Sequence, residues 1–343
     1  MYKYFIVFLL GIMFSATGIL YYNSQYPFNS SNSEVQRLPQ NQDYTYTIGL
    51  LGQSETIKTV FEGFKTQMED IVKEKDITIK YETLDIGFSK TNTENATEYF
   101  IKQNVDLIIT GQSEFIIMKE MGLKIPVVIA PAANVVQAGF AKSMKGSGTN
   151  AAFVESGNTN TAGQRLDFFM RIAPLAKTIL ILRGDPSIPG ESETPLEDLK
   201  NISSKYNLTL IDKSFKDREG LNKFILSFDF KPIDAVFRYP GPFMASSMDL
   251  IFKFTSKINK PIITLTREEL SQGGALSYAP DYKILGSKAA DAAYQILTKK
   301  TAPGSIPVQT PIKFDLGLNE TILNSFGLSI PEEARQEADY IIK

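Results

Sequence analysis

Three kinds of polar residue stand where apolar runs of this chain end. Gln112, Ser113 and Asn134 are neutral donors and acceptors, suited to holding a small polar molecule without reacting with it. Loop solvation is the competing explanation for each. Arg238 and Tyr239 follow an apolar run at 234–237. A guanidinium can grip a carboxylate through two parallel hydrogen bonds, and a phenol ring can stack on a flat ligand; an exposed strand end is the plainer use. The carboxylates Glu155, Asp185 and Asp281 fall at expected strand or helix ends, where solvated loops and caps are commoner than chemistry.

Composition removes most reaction classes. The chain has no His, Cys or Trp. Without His it lacks the residue most used for proton transfer near neutral pH. Without Cys there is no disulfide, thiolate nucleophile or thiolate metal site. No G-x-x-x-x-G-K-[ST] loop occurs, and there is no metal-ligand spacing. The stretch GSGTNA at 146–151 formally matches a dinucleotide fingerprint, but it precedes a strand instead of following one and opening a helix. A hydrolase relying on Glu155 or Asp185 lacks a nucleophile motif. The expectation is a protein that is not an enzyme and uses no cofactor and no metal. With 36 basic and 38 acidic residues, net charge −2, there is no electrostatic footprint for nucleic acid.

The elements needed to position these residues are legible as periodicity. Residues 104–140 hold two short Ile/Val-rich runs, 105–110 and 126–130, which read as strands buried on both faces of a parallel sheet. Each ends in a small or polar loop, at 111–113 and 131–134. In an open α/β sheet, ligands sit beyond the carboxyl ends of the strands. Residues 46–51 and 77–84 read as two further strands. Ile57, Val60, Phe61, Phe64, Met68, Ile71 and Val72 form one stripe of an amphipathic helix, capped by Ser54. A second helix is expected over 92–102 and a short strand over 151–154. The pattern then restarts, with strands at 178–182, 208–211, 234–237 and 261–265 separated by helices. Residues 273–278 form a glycine-led strand. A helix with an alanine-rich face follows from Asp281, and 307–316 is an extended crossing segment. Strands alternating with helices twice over imply two similar α/β lobes, which suits 343 residues of which 43% are hydrophobic and 22% charged.

Residues 4–22 carry no charge and follow Lys3. Their length approaches a membrane span. An uncleaved anchor with Lys3 inside is preferred to a cleaved signal peptide, because Ser15-Ala16-Thr17 is a poor cleavage site. Residues 23–43, rich in Asn, Ser, Gln and Pro, read as a flexible linker.

Several pieces of the chain together resemble one family. PVVI at 126–129 and NVVQAGF at 134–140 come first, then GTN at 148–150, GALSYAPDYKILG at 274–286 and IPVQTPIKF at 306–314. The ending runs from Asn319 to GLSIP at 327–331. In this order they are similar to ABC-transporter substrate-binding proteins of the type I periplasmic-binding fold, some of which, the tryptophan/tyrosine-binding lipoproteins, bind aromatic amino acids. The resemblance covers residue 46 to the C-terminus. It implies two Rossmann-like lobes with parallel sheets joined by a three-segment hinge, with crossings near 150–155, 272–275 and 306–312; the N-terminal membrane helix expected from residues 4–22 is additional to it. The expected division is 1–22 anchor, 23–43 linker, 44–152 with 274–306 as the N-terminal lobe, and 153–273 with 307–343 as the C-terminal lobe.

Thr110 matches the family's "gT" position and Asp281 its "yD". Asn134 stands where the family usually has Asp, and Gly241 where a second Asp usually follows the third strand of the second lobe. An ammonium ligand would ordinarily rely on such acids; Glu155 or Asp185 is left to compensate. The lipid-accepting Cys is missing, so attachment falls to the N-terminal helix. The expected function is an extracytoplasmic solute-binding component that closes on a small polar or aromatic, amino-acid-like ligand and hands it to an ABC permease, as a membrane-tethered monomer. A ligand-sensing module signalling to a membrane partner is the alternative. The expected ligand contacts are Gln53, Ser54, Thr110, Gln112, Ser113 and Asn134 from the first lobe. Glu155, Ser156, Asn158, Arg238 and Tyr239 are those of the second, with Asp281.

Overall fold

The computed structural model describes residues 44–343 apart from positions 53, 87, 88, 189, 230, 231 and 312. The expected anchor at 1–22 and linker at 23–43 lie outside the described residues. Among the described residues no helix is long and apolar enough to cross a membrane.

The first lobe is built from β1 (Tyr44–Gly52), α1 (Glu55–Val72), β2 (Ile77–Asp85), α2 (Lys90–Lys102), β3 (Leu107–Thr110), α3 (Gln112–Glu120), β4 (Val127–Ala132) and β5 (Ala151–Glu155). The strands lie in the order β2-β1-β3-β4-β5, every neighbouring pair parallel. Parallel pairing requires crossovers, which the helices supply on both faces. Strand alternation therefore feeds two cores. Leu107 and Ile109 pack with Val60 and Phe64 of α1, while Ile108 packs with Phe100 of α2 and Met118 of α3. This is why β3 reads as an unbroken apolar run.

The second lobe contains α4 (Ala162–Ile172), β6 (Thr178–Gly184), α5 (Thr194–Tyr206), β7 (Thr209–Phe215), α6 (Arg218–Ser227), β8 (Ala235–Arg238), α7 (Pro242–Ala245), α8 (Met248–Ile258), β9 (Ile262–Ile263), α9 (Arg267–Ser271) and β10 (Leu276–Ala279). The chain then makes α10 (Tyr282–Lys299), followed by β11 (Asp315–Asn319), α11 (Glu320–Ser325), α12 (Glu332–Glu337) and β12 (Tyr340–Ile342). The seven-stranded order is β12-β11-β10-β9-β8-β6-β7, and β10–β11 is its one antiparallel pair.

Helix α10 belongs to the core of the first lobe. Leu285, Ala289, Ala292, Ala293 and Ile296 are buried there with Ile48 and Val60. Two glycines set its approach to α1. A Cβ on Gly286 would stand 2.0 Å from the Val60 carbonyl oxygen, and one on Gly63 2.1 Å from that of Lys283. Residues 276–279, expected with the first lobe, pair instead with β9 and β11 in the second sheet, so the return to the first lobe follows them at Pro280 and Asp281. Residues 153–155 and 309 run side by side. Glu155 N–H donates to the Gln309 carbonyl at 2.8 Å, and Gln309 N–H to that of Phe153 at 2.9 Å.

Two elements depart from the periodicity. β9 holds two residues where a strand over 261–265 is expected, because Leu265 and Thr266 turn their N–H groups to the Glu269 carboxylate. β12 is a half-buried edge strand against β11; its three residues are too few for a periodic signal.

Candidate functional site

The loops that follow β1, β3 and β4 in one lobe and β8 and β9 in the other enclose a cleft of about 530 Å³. The first-lobe wall is made by residues 54–57, 111–114 and 131–133. Ser54 sits at the mouth of α1 as its cap, with Oγ accepting from Ile57 N–H at 3.2 Å. α3 starts on Gly111 with no side-chain cap. The Gln112 Oε1 accepts from Ala133 N–H at 2.6 Å, which ties the β3 and β4 loops together. The opposite wall is made by Ser156, Asn158, Arg238, Pro240, Met248 and residues 265, 266, 268 and 269, among others.

The second-lobe wall holds a buried charge network. Arg238, 2% exposed, pairs with Glu269, 7% exposed, at 3.0 Å. Glu269 also closes a capping box with Thr266 at the start of α9. Behind them Arg165 is fully buried, its Nη1 donating at 3.2 Å to the carbonyls of Arg238 and Thr264, with its guanidinium 4.6 Å from the Phe237 ring centre. Burial, helped by the like charge of Arg238, lowers the Arg165 pKa to about 9, so it remains a cation at neutral pH. Burial pushes the Glu191 carboxyl up to about 7, against the pull of the Phe243 N–H bond and of Arg238 and Arg183. It also raises the Tyr282 phenol well above its ordinary value, opposed by the hydrogen bond from Asn158. Among the described residues, three buried polar atoms of the cleft lining have no hydrogen-bond partner within the protein: Asn158 Oδ1, Arg238 Nε and Glu268 Oε2. Such atoms are met by ordered water or by a ligand.

The sequence profile of the family described as ABC transporter substrate binding protein matches residues 53–342. The chain belongs to that family. It is 23% identical over 312 residues to a tyrosine-binding protein of Clostridioides difficile (strain R20291), covering 89% of this chain and 87% of that one. An ABC domain from Streptococcus pneumonia, solved in complex with L-Trp, has a TM-score of 0.74 at 19% identity, covering 88% of this chain and all (100%) of that one. A ligand-free, open substrate-binding protein with adhesive properties from Clostridium difficile has a TM-score of 0.63 at 22% identity, covering 88% and 99%. At these identities the structural likeness establishes the two-lobed α/β fold of the periplasmic-binding type. Substrate-binding proteins of ABC transporters are extracytoplasmic binding components and not enzymes.

Within this substrate-binding protein, Ser54, Gln112, Ser113, Ser156, Asn158 and Arg238 line the cleft. Gln53 lies outside the described residues. Thr110 is fully buried behind the wall, its Oγ1 donating to the Leu51 carbonyl at 3.0 Å. Tyr239 is likewise buried, its hydroxyl donating to the Ser192 carbonyl at 2.9 Å. Asn134 lines an adjoining hollow of about 420 Å³, accepting from Thr159 Oγ1 at 2.8 Å and donating to Ser192 Oγ at 3.3 Å. Glu155 accepts from Val135 N–H at 2.7 Å, and Asp281 caps α10 by accepting from Lys283 N–H at 2.8 Å. Asp185 is occupied by the Ser187 turn. Neither Glu155 nor Asp185 is a cleft-lining residue.

Glu268, Glu269, Thr266, Met248 and Tyr282 also line the cleft, and none was a sequence candidate. One signal was available. Thr266 with Glu269 three residues later is a capping-box pattern directly after the 261–265 run, so the strand-end rule used for 112 and 134 applies there too. Tyr282 carried no such mark; α10 delivers it from the other lobe.

Proposed function

We propose that this protein binds a small amino-acid-like ligand, polar or aromatic, between its lobes and passes it to an ABC permease in the membrane. The carrying observation is the cleft itself. Its volume of about 530 Å³ lies within the range usual for small-molecule sites, and buried unpartnered atoms of Asn158 and Arg238 belong to its lining. Arg238 Nε suits a carboxylate. Ile57, Met248, Leu265, Pro131 and Pro240 supply apolar surface for a side chain. The tyrosine-binding relative and the neighbour solved with L-Trp support the amino-acid class.

In this reading Ser54, Gln112, Ser113, Ser156, Asn158 and Arg238 meet the ligand. Thr110, Asn134, Glu155, Tyr239 and Asp281 hold the walls that carry them. The lobes are 44–152 with α10 and its following turn, and 153–279 with 307–343. Hinge closure runs through three segments, 153–155, 280–281 and 307–309. Residues 4–22 tether a monomer to the membrane through the 23–43 linker. Thermal-shift screening of the full chain against amino acids and nucleosides tests the binding: a ligand at a hundred times its Kd adds about 2.7 kcal/mol of stability. If no small solute raises the midpoint and none copurifies, the reading fails. Crosslinking in membranes separates a permease partner from a receptor.

A further inference from the structure

Carboxylates crowd the cleft, and most of them already have a cation. Glu55 pairs with Lys58 at 3.0 Å, Asp249 with Arg218 at 2.8 Å and Glu269 with Arg238 at 3.0 Å. Glu114 is buried in the first turn of α3, folded back against Gly111. Glu268 differs. Its Oε1 accepts a long 3.4 Å bond from Thr59 Oγ1, reaching across the cleft from α9 to α1, and its Oε2 is buried with no hydrogen-bond partner. Asn158, 7% exposed, gives its Nδ2 to the Tyr282 hydroxyl at 2.6 Å and leaves Oδ1 buried and unpartnered.

Both orphan atoms are acceptors, and both residues line the cleft. They share the cleft lining with Tyr282, to whose hydroxyl Asn158 donates. A buried acceptor left unmet costs about 1–3 kcal/mol, a cost removed when a ligand brings donors. A hydroxyl would supply one donor and no charge. An ammonium supplies three donors and the positive charge that Glu268 lacks, in a cleft where Arg238 is already bound to Glu269. Asn134 and Gly241 supply no charge here. Asn134 is spent on Thr159 and Ser192, and the space a side chain at 241 would need is filled by the Glu191 carboxylate, 2.2 Å from the Cβ position.

We infer that Glu268 and Asn158 form the seat of a primary ammonium group, so that the ligand carries an α-amino group in addition to whatever its side chain contributes. The inference rests on the proposal of an amino-acid-like ligand and adds where its cationic end is held. The acid that holds it comes from the second lobe, on the loop and helix that follow β9.

The test is isothermal titration of the full chain with four probes: L-tyrosine, L-tryptophan, 3-(4-hydroxyphenyl)propionate, which lacks the amino group, and tyramine, which lacks the carboxylate. At least one amino acid is expected to bind, and removal of the amino group to weaken binding about 100-fold. Glu268→Gln, checked for an unchanged thermal midpoint without ligand, is expected to weaken the amino acid roughly 10- to 100-fold and to leave the deaminated probe unaffected. Equal binding of tyrosine and its deaminated analogue by the wild type overturns the inference without any variant, while the amino-acid-like reading stands. Unchanged amino-acid affinity in Glu268→Gln also overturns it. If neither amino acid binds the wild type, the aromatic form of the amino-acid reading fails. Tyramine then decides the seat: binding that Glu268→Gln abolishes sustains it, and no binding ends it.

Discussion

Arg238 and Glu269 face each other at 3.0 Å where water does not reach. Their pairing offsets two desolvation penalties, so removing one member leaves the other charged and alone. Glu269→Gln is expected to lower the unfolding free energy by about 3 kcal/mol in urea denaturation. Arg238→Met combined with Glu269→Gln is expected to cost less than the sum of the two single changes, because the buried cation has gone as well. Glu191 poses the opposite problem. Its pKa rises from an ordinary 4.5 to about 7 because it is buried. The folded state thus holds this proton more tightly than the unfolded chain does. Its cost is absent below the unfolded value, grows as pH rises from there, and is complete above the folded pKa. Glu191→Gln is therefore expected to flatten the stability profile between about pH 4.5 and 7 and to stabilise the protein at pH 8 by on the order of 3 kcal/mol at most. Urea midpoints across that range check it. At this scale the sequence placed Arg238 at a strand end, but Glu269 and Glu191 are distant in the chain and their meeting is not written in any local pattern.

The α1–α10 contact carries the argument at the scale of elements. Gly63 and Gly286 let two helix backbones touch, and the facing alanines keep the seam thin. Gly286→Ala would push a methyl into the Val60 carbonyl, so a loss of about 1–3 kcal/mol is expected, read as a lower midpoint by circular dichroism. An effect near zero would mean that the helices separate freely. The alanine-rich face of α10 was readable as a closely packed one. From that face alone the lobe and the helix it packs on were not, because a periodic stripe records that a face is buried and leaves its partner unnamed. β3 and β4 were legible because burial on both faces demands an unbroken apolar run, whereas the edge strand β2 was legible by its alternation. β9 was read too long because the Pro261-to-Leu265 run stays apolar after its backbone has left the sheet to feed the Glu269 carboxylate.

Across the whole molecule, the described residues of the two lobes are joined by hydrogen bonds of unequal length. Asn158 reaches Tyr282 at 2.6 Å and Thr159 reaches Asn134 at 2.8 Å, while Asn134 reaches Ser192 at 3.3 Å and Thr59 reaches Glu268 at 3.4 Å. The two long bonds are weak enough to be exchanged in the proposed hinge closure. Asn134→Ala is expected to leave stability within about 1 kcal/mol of the parent while weakening ligand binding several-fold, through a larger population of open molecules. Titration for affinity and small-angle scattering for a larger radius of gyration without ligand check the two halves of that statement. By itself the sequence determined the class of the molecule. The alternation of strands and helices, twice over, marked a two-lobed α/β molecule with loops beyond its strand ends, and the resemblance of its dispersed motifs to substrate-binding proteins marked its binding role. Tertiary structure alone decided which of those loop residues face the cleft. Strand-end position brings a residue to the right edge, but side chains alternate between faces, so Arg238 opens onto the cleft while its neighbour Tyr239 is buried. It alone also brought Glu268, Asn158 and Tyr282, from three separate stretches of chain, around one unfilled space.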